Sequence, residues 1–190
     1  MLTVGTRLAN GSVLTDINFF TVKLNDTTTV SLNVRQEDAK MQVIGNFNSE
    51  ARFTTLENTE QSILQACGRG YFVVAILGVG QEPTNHALRD IAKLKQEFET
   101  WGRPIVMLFT DEQQAKRFNP AEFPELPTTV KYGIDKSQAI QNEILDNMKL
   151  TASKGLPIFI IADSFNRIVF VAQGYSIGLG EQIHKVIHGL

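Results

Sequence analysis

The chain has 190 residues, of which 43% are hydrophobic, and a formal net charge of −2. This length suits one large domain or two small ones, and the nearly balanced charge argues against a basic nucleic-acid or membrane surface. No apolar run approaches the ~20 residues that cross a bilayer, and the single cysteine, Cys67, excludes a disulfide within the chain.

Residues 1–50 alternate apolar and polar side chains, which predicts four or five short antiparallel strands. The Asn10–Gly11 pair predicts a hairpin between residues 2–8 and 12–14, and the alternation continues at 20–24, 30–34 and 41–47. Because so small a sheet is marginal alone, we expect it to be part of a β-sandwich. The sequence opens directly on a strand without a signal peptide, so we expect a C-terminal piece of a longer protein.

A polar stretch follows at residues 46–61, and we place a linker at 51–61. From Tyr71 onward, strands alternate with helices, which predicts an α/β domain over residues 62–190. The continuous apolar runs 71–77 and 105–109 are typical of strands buried on both faces of a parallel sheet. Between them, an apolar stripe predicts one helix that begins near Pro83 and ends at Gly102.

The second half of this domain continues the alternation. Asp111 is the expected N-cap of a helix over residues 112–118, and Ser137 is the expected N-cap of the next helix. The remaining predicted elements are a strand at 128–134, a hairpin of strands at 158–162 and 168–172, and a closing helix at 181–188.

The segment GLPIFIIAD, residues 155–163, resembles the corresponding segment of thioredoxin-like proteins of the peroxiredoxin and periplasmic thiol-reductase branch. There a cis-proline opens a buried strand that runs into an Asp-containing turn. The resemblance implies a thioredoxin-like α/β domain and a cis peptide bond between Leu156 and Pro157.

In that family a Cys-x-x-Cys motif opens the first helix, where this chain has Glu82-Pro83-Thr84-Asn85. Dithiol exchange needs one thiolate to attack and a second thiol to resolve the mixed disulfide, and neither Glu82 nor Asn85 can do either. Cys67 precedes the first strand of the domain, and we expect it to be a buried, inert thiol. We therefore expect no dithiol redox activity.

Residues 68–74, 78–86 and 174–182 are similar to the C-terminal region of long bacterial transglutaminase-like proteins, which are typically exported. This resemblance implies a periplasmic or cell-surface location and catalytic machinery upstream of this chain. The expected partners are the upstream domains of the same parent chain.

The loop 78–86 is the best candidate site, because ligands of open α/β sheets bind at the carboxyl edge of the strands. The candidate ligand-binding residues are Gln81, Glu82, Thr84, Asn85, His86, Leu156, Pro157 and Tyr175. The first hypothesis is a non-catalytic binding or scaffolding module for a peptide or small molecule. The alternative is a thiol-independent enzyme or a small-ligand site at the loop Gly78–His86, in which Glu82 and His86 have the spacing of an acid–base pair. The simplest interpretation is that these residues only cap and begin a helix.

Two other patterns give weaker signals. Gly78-Val79-Gly80 begins like a dinucleotide fingerprint, but Pro83 occupies the third glycine position. His184 and His188 have the spacing of metal ligands on one helix face, but no third ligand is evident. We expect no cofactor and no metal, and assign no catalytic residue.

Overall fold

The computed structural model describes residues 2–7, 13–18 and 42–190. Contacts between residues divide the chain into Met1–Lys40 and Met41–Leu190. In the first unit, β1 (Leu2–Arg7) and β2 (Val13–Asn18) pair antiparallel, as the Asn10–Gly11 turn predicts. The alternation at 20–24 and 30–34 lies outside the described residues, so the described part of this unit is a hairpin, and the predicted sandwich is not shown.

The second unit contains a mixed sheet in the order β3-β10-β9-β6-β7-β8-β4-β5. Its strands are β3 (Gly45–Asn46), β4 (Arg52–Thr55), β5 (Glu60–Ser62), β6 (Tyr71–Leu77), β7 (Ile105–Phe109), β8 (Val130–Ile134), β9 (Ile158–Asp163) and β10 (Arg167–Gln173). β6, β7 and β8 are parallel, whereas β9 runs antiparallel to both β6 and β10. The predicted βαβ unit and closing hairpin are therefore present.

Six helices of the described residues accompany this sheet. They are α1 (Ile63–Cys67), α2 (Glu82–Lys93), α3 (Lys95–Trp101), α4 (Glu112–Arg117), α5 (Ala139–Asn147) and α6 (Leu179–His188). None of these is both long enough and apolar enough to cross a membrane. Short 3₁₀ turns occupy Pro120–Glu122 and Ala152–Lys154.

The two faces of the sheet carry separate apolar cores. Because side chains alternate along a strand, Val73, Ala75 and Leu77 of β6 pack with α2, α3 and α6. Phe72, Val74 and Ile76 pack with α1 and α5 on the opposite face. The continuous apolar sequence of β6 thus serves two cores at once, as expected for a central strand covered on both sides.

Residues 51–61, which composition assigns to a linker, instead contain β4 and β5. β4 pairs with β8, so the segment extends the sheet. It is polar because its hairpin forms the edge of the sheet, where exposed charged side chains such as Arg52 and Glu60, 3.3 Å apart, are common.

Two helix predictions also need correction. The helix predicted from Pro83 to Gly102 breaks at Leu94 into α2 and α3, although Phe98 and Trp101 continue to pack on the same core. Ser137 does not cap α5, since Gln138 holds the N-cap position. The capping acceptor is instead the buried carboxylate of Asp135, which accepts a hydrogen bond from the Gln141 N–H at 2.9 Å. Asp111 does cap α4.

Candidate functional site

Three chain segments meet at one edge of the sheet, which we call the Pro157 edge: residues 78–81 after β6, 155–157 before β9 and 174–178 after β10. The strand register brings them together, because Ile158 of β9 pairs with both Ile76 of β6 and Gln173 of β10. The candidate loops of the sequence are therefore neighbours.

The peptide bond between Leu156 and Pro157 is cis, which confirms the prediction. The Pro157 carbonyl accepts a hydrogen bond from the Gly174 N–H at 2.8 Å, which joins two of the three segments. Pro157 is buried and Leu156 is partly buried. Among the residues that the structure describes, neither the N–H nor the C=O of Leu156 has a hydrogen-bond partner.

The turn after β6 is held by side chains of α2 and α4 and by its own Gln81. The buried Gly78 N–H donates to the Thr84 Oγ1 at 3.2 Å, and the Val79 N–H donates to the Gln114 Oε1 at 2.9 Å. The Gln81 side chain lies close to Gly78. A Cβ added to Gly78 would lie 2.6 Å from the Gln81 Oε1. Two of the predicted ligand residues, Gln81 and Thr84, thus shape the turn itself.

Helix α2 begins directly after this turn and presents two exposed candidates. Glu82 and His86 lie one turn apart, with 3.3 Å between Glu82 Oε2 and His86 Nε2. Their side chains are 77% and 50% exposed. Asn85 is partly buried, and its N–H donates to the Gln81 carbonyl as the helix begins.

Tyr175, in the segment after β10, completes the cluster. Its ring stacks on His86 with 5.2 Å between the ring centres and 22° between the planes. Its hydroxyl donates to Asp90 Oδ2 at 3.1 Å, and Lys93 Nζ donates to Asp90 Oδ1 at 3.0 Å. Desolvation, followed by the hydrogen bond to Asp90, raises the pKa of Tyr175, so the phenol stays a neutral donor.

Sequence patterns did not single out Asp90 or Gly180, which fix this cluster. Asp90 follows His86 by four residues, so the two share a face of α2. A Cβ at Gly180 would be 2.7 Å from the Asp90 carbonyl oxygen, so the glycine permits close packing of α6 on α2. The helical spacing was a signal for Asp90, whereas the contact with Gly180 depends on the tertiary packing of the two helices.

The single thiol lies elsewhere. Cys67 ends α1, is 8% exposed, and belongs to the core on the opposite face of the sheet from α2. Desolvation raises its pKa to about 12, and the positive charge of Lys131 offsets this only in part. A thiol with so high a pKa is protonated at neutral pH, whereas the reactive form of cysteine is the thiolate.

No family model matches the sequence, and no curated protein matches it. Solved structures do resemble it. A thioredoxin-like protein from Bacteroides caccae matches with a TM-score of 0.55 and 14% identity, over 76% of this chain and 49% of that one. A putative thiol:disulfide interchange protein DsbE from Chlorobium tepidum matches with a TM-score of 0.56 and 11% identity, over 76% and 94%.

The fold is thioredoxin-like. A third match is the bacterioferritin comigratory protein of Xanthomonas campestris, which has alkyl peroxide reduction activity. It has a TM-score of 0.56 and 11% identity over 75% of this chain and 94% of that one. Identities this low show a shared fold alone. This thioredoxin-like domain lacks the redox cysteine pair, and its α2 begins with Glu82 and Pro83.

Proposed function

We propose that the chain is a non-catalytic binding or scaffolding module of a larger, exported transglutaminase-like protein, and that its Pro157 edge binds an extended peptide or a small ligand. The observation that carries this proposal is the backbone of Leu156, whose N–H and C=O have no hydrogen-bond partner among the described residues. An extended peptide gains affinity from main-chain hydrogen bonds and specificity from neighbouring side chains. Leu156 offers one donor and one acceptor, and His86 and Tyr175 lie at the same edge.

The exposure of Glu82 and His86 favours binding over catalysis. Acid–base catalysts usually lie in a concave site that holds the substrate and excludes water. These two side chains are largely in water, at 77% and 50% exposure, and the one thiol is buried on the other side of the sheet. An open surface with an aromatic pair suits recognition better than the alternative of a thiol-independent enzyme.

The resemblance to transglutaminase-like proteins supports the proposal that the chain is part of a larger, exported protein. Two of its three segments, residues 78–86 and 174–182, contribute to the Pro157 edge. The upstream domains of the parent chain are then the expected partners, and a peptide segment or small molecule handled by that parent is the expected ligand. The location follows as periplasmic or cell-surface.

Peptide selection followed by NMR tests the binding site. We expect a peptide selected from a random library to shift the backbone amide resonances of Leu156, of Glu82, of residues 84–86 and of 174–178. Tyr175→Ala should weaken binding at least about tenfold, as for a small hot-spot residue. Phe165→Ala is the matched control. This aromatic residue is 76% exposed and lies in the turn between β9 and β10, at the opposite end of these strands from the Pro157 edge.

Two results would contradict the proposal: resonance shifts that map away from the Pro157 edge, or equal weakening by both substitutions. Far-UV circular dichroism of the Tyr175→Ala chain separates lost binding from lost folding. The parent is tested independently by the reading frame upstream of Met1. A continuous frame with an export signal and a transglutaminase-like domain supports the proposed context, and its absence contradicts that context but leaves the binding test valid.

A further inference from the structure

Helices α3 and α6 enclose a surface groove of about 540 Å³. Glu97 and Trp101 line it from α3, and His184, Ile187 and His188 line it from α6. α6 begins just after the segment 174–178 of the Pro157 edge, and His184 and His188 lie in its second half. The groove is therefore at the far end of α6 from the candidate peptide site.

The spacing of the two histidines is compatible with ligation of one metal ion. Four residues apart on a helix, they lie on the same face, and their ring centres are 4.9 Å apart with an angle of 89° between the planes. A metal ion about 2.0–2.1 Å from one nitrogen of each ring, with a ligand–metal–ligand angle of roughly 90–110°, separates the ring centres by about 4.5–5.2 Å. The observed separation falls within that range.

The charges of the groove favour a cation. α3 ends at Trp101 and α6 at His188, and the carboxyl end of a helix carries partial negative charge. Glu97 adds a carboxylate to the same groove. Neutral imidazole is a good ligand for zinc, copper and nickel, and the one thiol, Cys67, belongs to the core on the opposite face of the sheet.

We infer that His184 and His188 form an open, two-histidine site for a divalent transition-metal ion. Among the described residues, no group of three or more histidine, cysteine or acidic side chains is arranged to hold a metal. The protein therefore supplies two positions, and water or a further small ligand fills the rest. This site is separate from the Pro157 edge and does not depend on the function proposed for it.

Trp101 makes the site directly observable, because it is the only tryptophan of the chain and lines the groove. Titration of the untagged chain with Cu²⁺ or Ni²⁺ should quench its fluorescence saturably, at one ion per chain. Zn²⁺, which has a filled d shell and no redox chemistry, should displace Ni²⁺ when added in excess and restore the emission, whereas the more tightly held Cu²⁺ should resist displacement.

The three histidines of the chain provide both test and control. His184→Ala and His188→Ala should each weaken Ni²⁺ binding by at least about tenfold, since even the loss of an outer-shell partner costs that much. The His86→Ala chain, which lacks the histidine at the Pro157 edge, should bind Ni²⁺ with the same affinity as the unsubstituted chain. His188 is exposed, so its variant tests the site even if substitution of His184 disturbs packing.

The inference is overturned if millimolar Ni²⁺ does not quench the Trp101 fluorescence of the unsubstituted chain saturably. It is overturned equally if all three histidine variants bind with the same affinity, because the bound ion would then be held by scattered surface groups. Calorimetric titration with Zn²⁺ gives the stoichiometry without relying on fluorescence.

Discussion

Cys67 gives the sharpest prediction about reactivity. Its pKa is raised to about 12 from the ordinary value of 9.0 because the side chain is buried at the end of α1. The thiolate is the reactive form, and a difference of three pKa units lowers the thiolate fraction at pH 8 by roughly a thousandfold. A thiolate of higher pKa is also a stronger nucleophile, by roughly twentyfold over three pKa units. We therefore expect the native chain to react with Ellman's reagent about fifty times more slowly than the unfolded chain does.

The assay compares the rate of colour formation at pH 8 in native buffer and in denaturing urea. The Cys67→Ser chain provides the baseline, because it contains no thiol. Steric exclusion of the reagent can only slow the native reaction further. A native rate within tenfold of the unfolded rate would refute the burial of this thiol, and with it one argument against redox chemistry.

The same shift predicts how stability depends on pH. Because the folded-state pKa of Cys67 lies above its unfolded value, the unfolded chain loses the proton first. The protonated thiol makes its full contribution to the free energy of unfolding below pH 9. This contribution is lost as the pH rises from 9 towards 12. Between pH 8 and 10, the unsubstituted chain should lose about 1 kcal/mol more of its free energy of unfolding than the Cys67→Ala chain does. Parallel pH profiles for the two chains would contradict this.

Three further substitutions test the packing around the Pro157 edge by urea unfolding. Gly180→Ala should destabilise the chain by about 1–3 kcal/mol, because the new Cβ would lie 2.7 Å from the Asp90 carbonyl; unchanged stability would mean that α6 moves away freely. Thr84→Val should cost about 1–3 kcal/mol, because it leaves the buried Gly78 N–H without its acceptor, and a neutral effect would show that this bond is dispensable. Asp111→Ala should cost about 1 kcal/mol through loss of the N-cap of α4, whose bond to the Gln114 N–H is 2.8 Å long; an equally stable variant would contradict that role.

The centre of the sheet was predictable because burial on both faces leaves a continuous apolar run in the sequence. β6 and β7 have the predicted bounds, Tyr71–Leu77 and Ile105–Phe109. The edge of the sheet was not predictable in this way. β4 and β5 carry polar side chains because one side of their hairpin faces water, and composition alone does not separate such a hairpin from a linker.

The candidate site was predictable in its location but not in its internal contacts. The order of strands and the Leu156–Pro157 segment place the loop 78–86 beside residues 155–157, and the structure adds the stacking of His86 on Tyr175. The buried role of Thr84 was not foreseen, because a threonine in the first turn of a helix gives no sign of which backbone group its hydroxyl will meet. The contact between Gly180 and Asp90 joins residues ninety positions apart, beyond the reach of any local pattern.

The Pro157 edge separates the groups that maintain the fold from those available to a ligand. Thr84 and Gly180 are buried, and each meets a backbone group of another element, so substitutions there act on stability first. Glu82 and His86 are exposed, and substitution of such residues usually changes stability by less than about 0.5 kcal/mol. In the proposed binding mode Leu156 contributes its main-chain N–H and C=O, which most substitutions at that position would leave in place. If the proposal holds, affinity at this edge should depend on the backbone of Leu156 and on the ring of Tyr175. The choice of ligand should depend on His86, on Tyr175 and on Ile177, which is 92% exposed in the same segment.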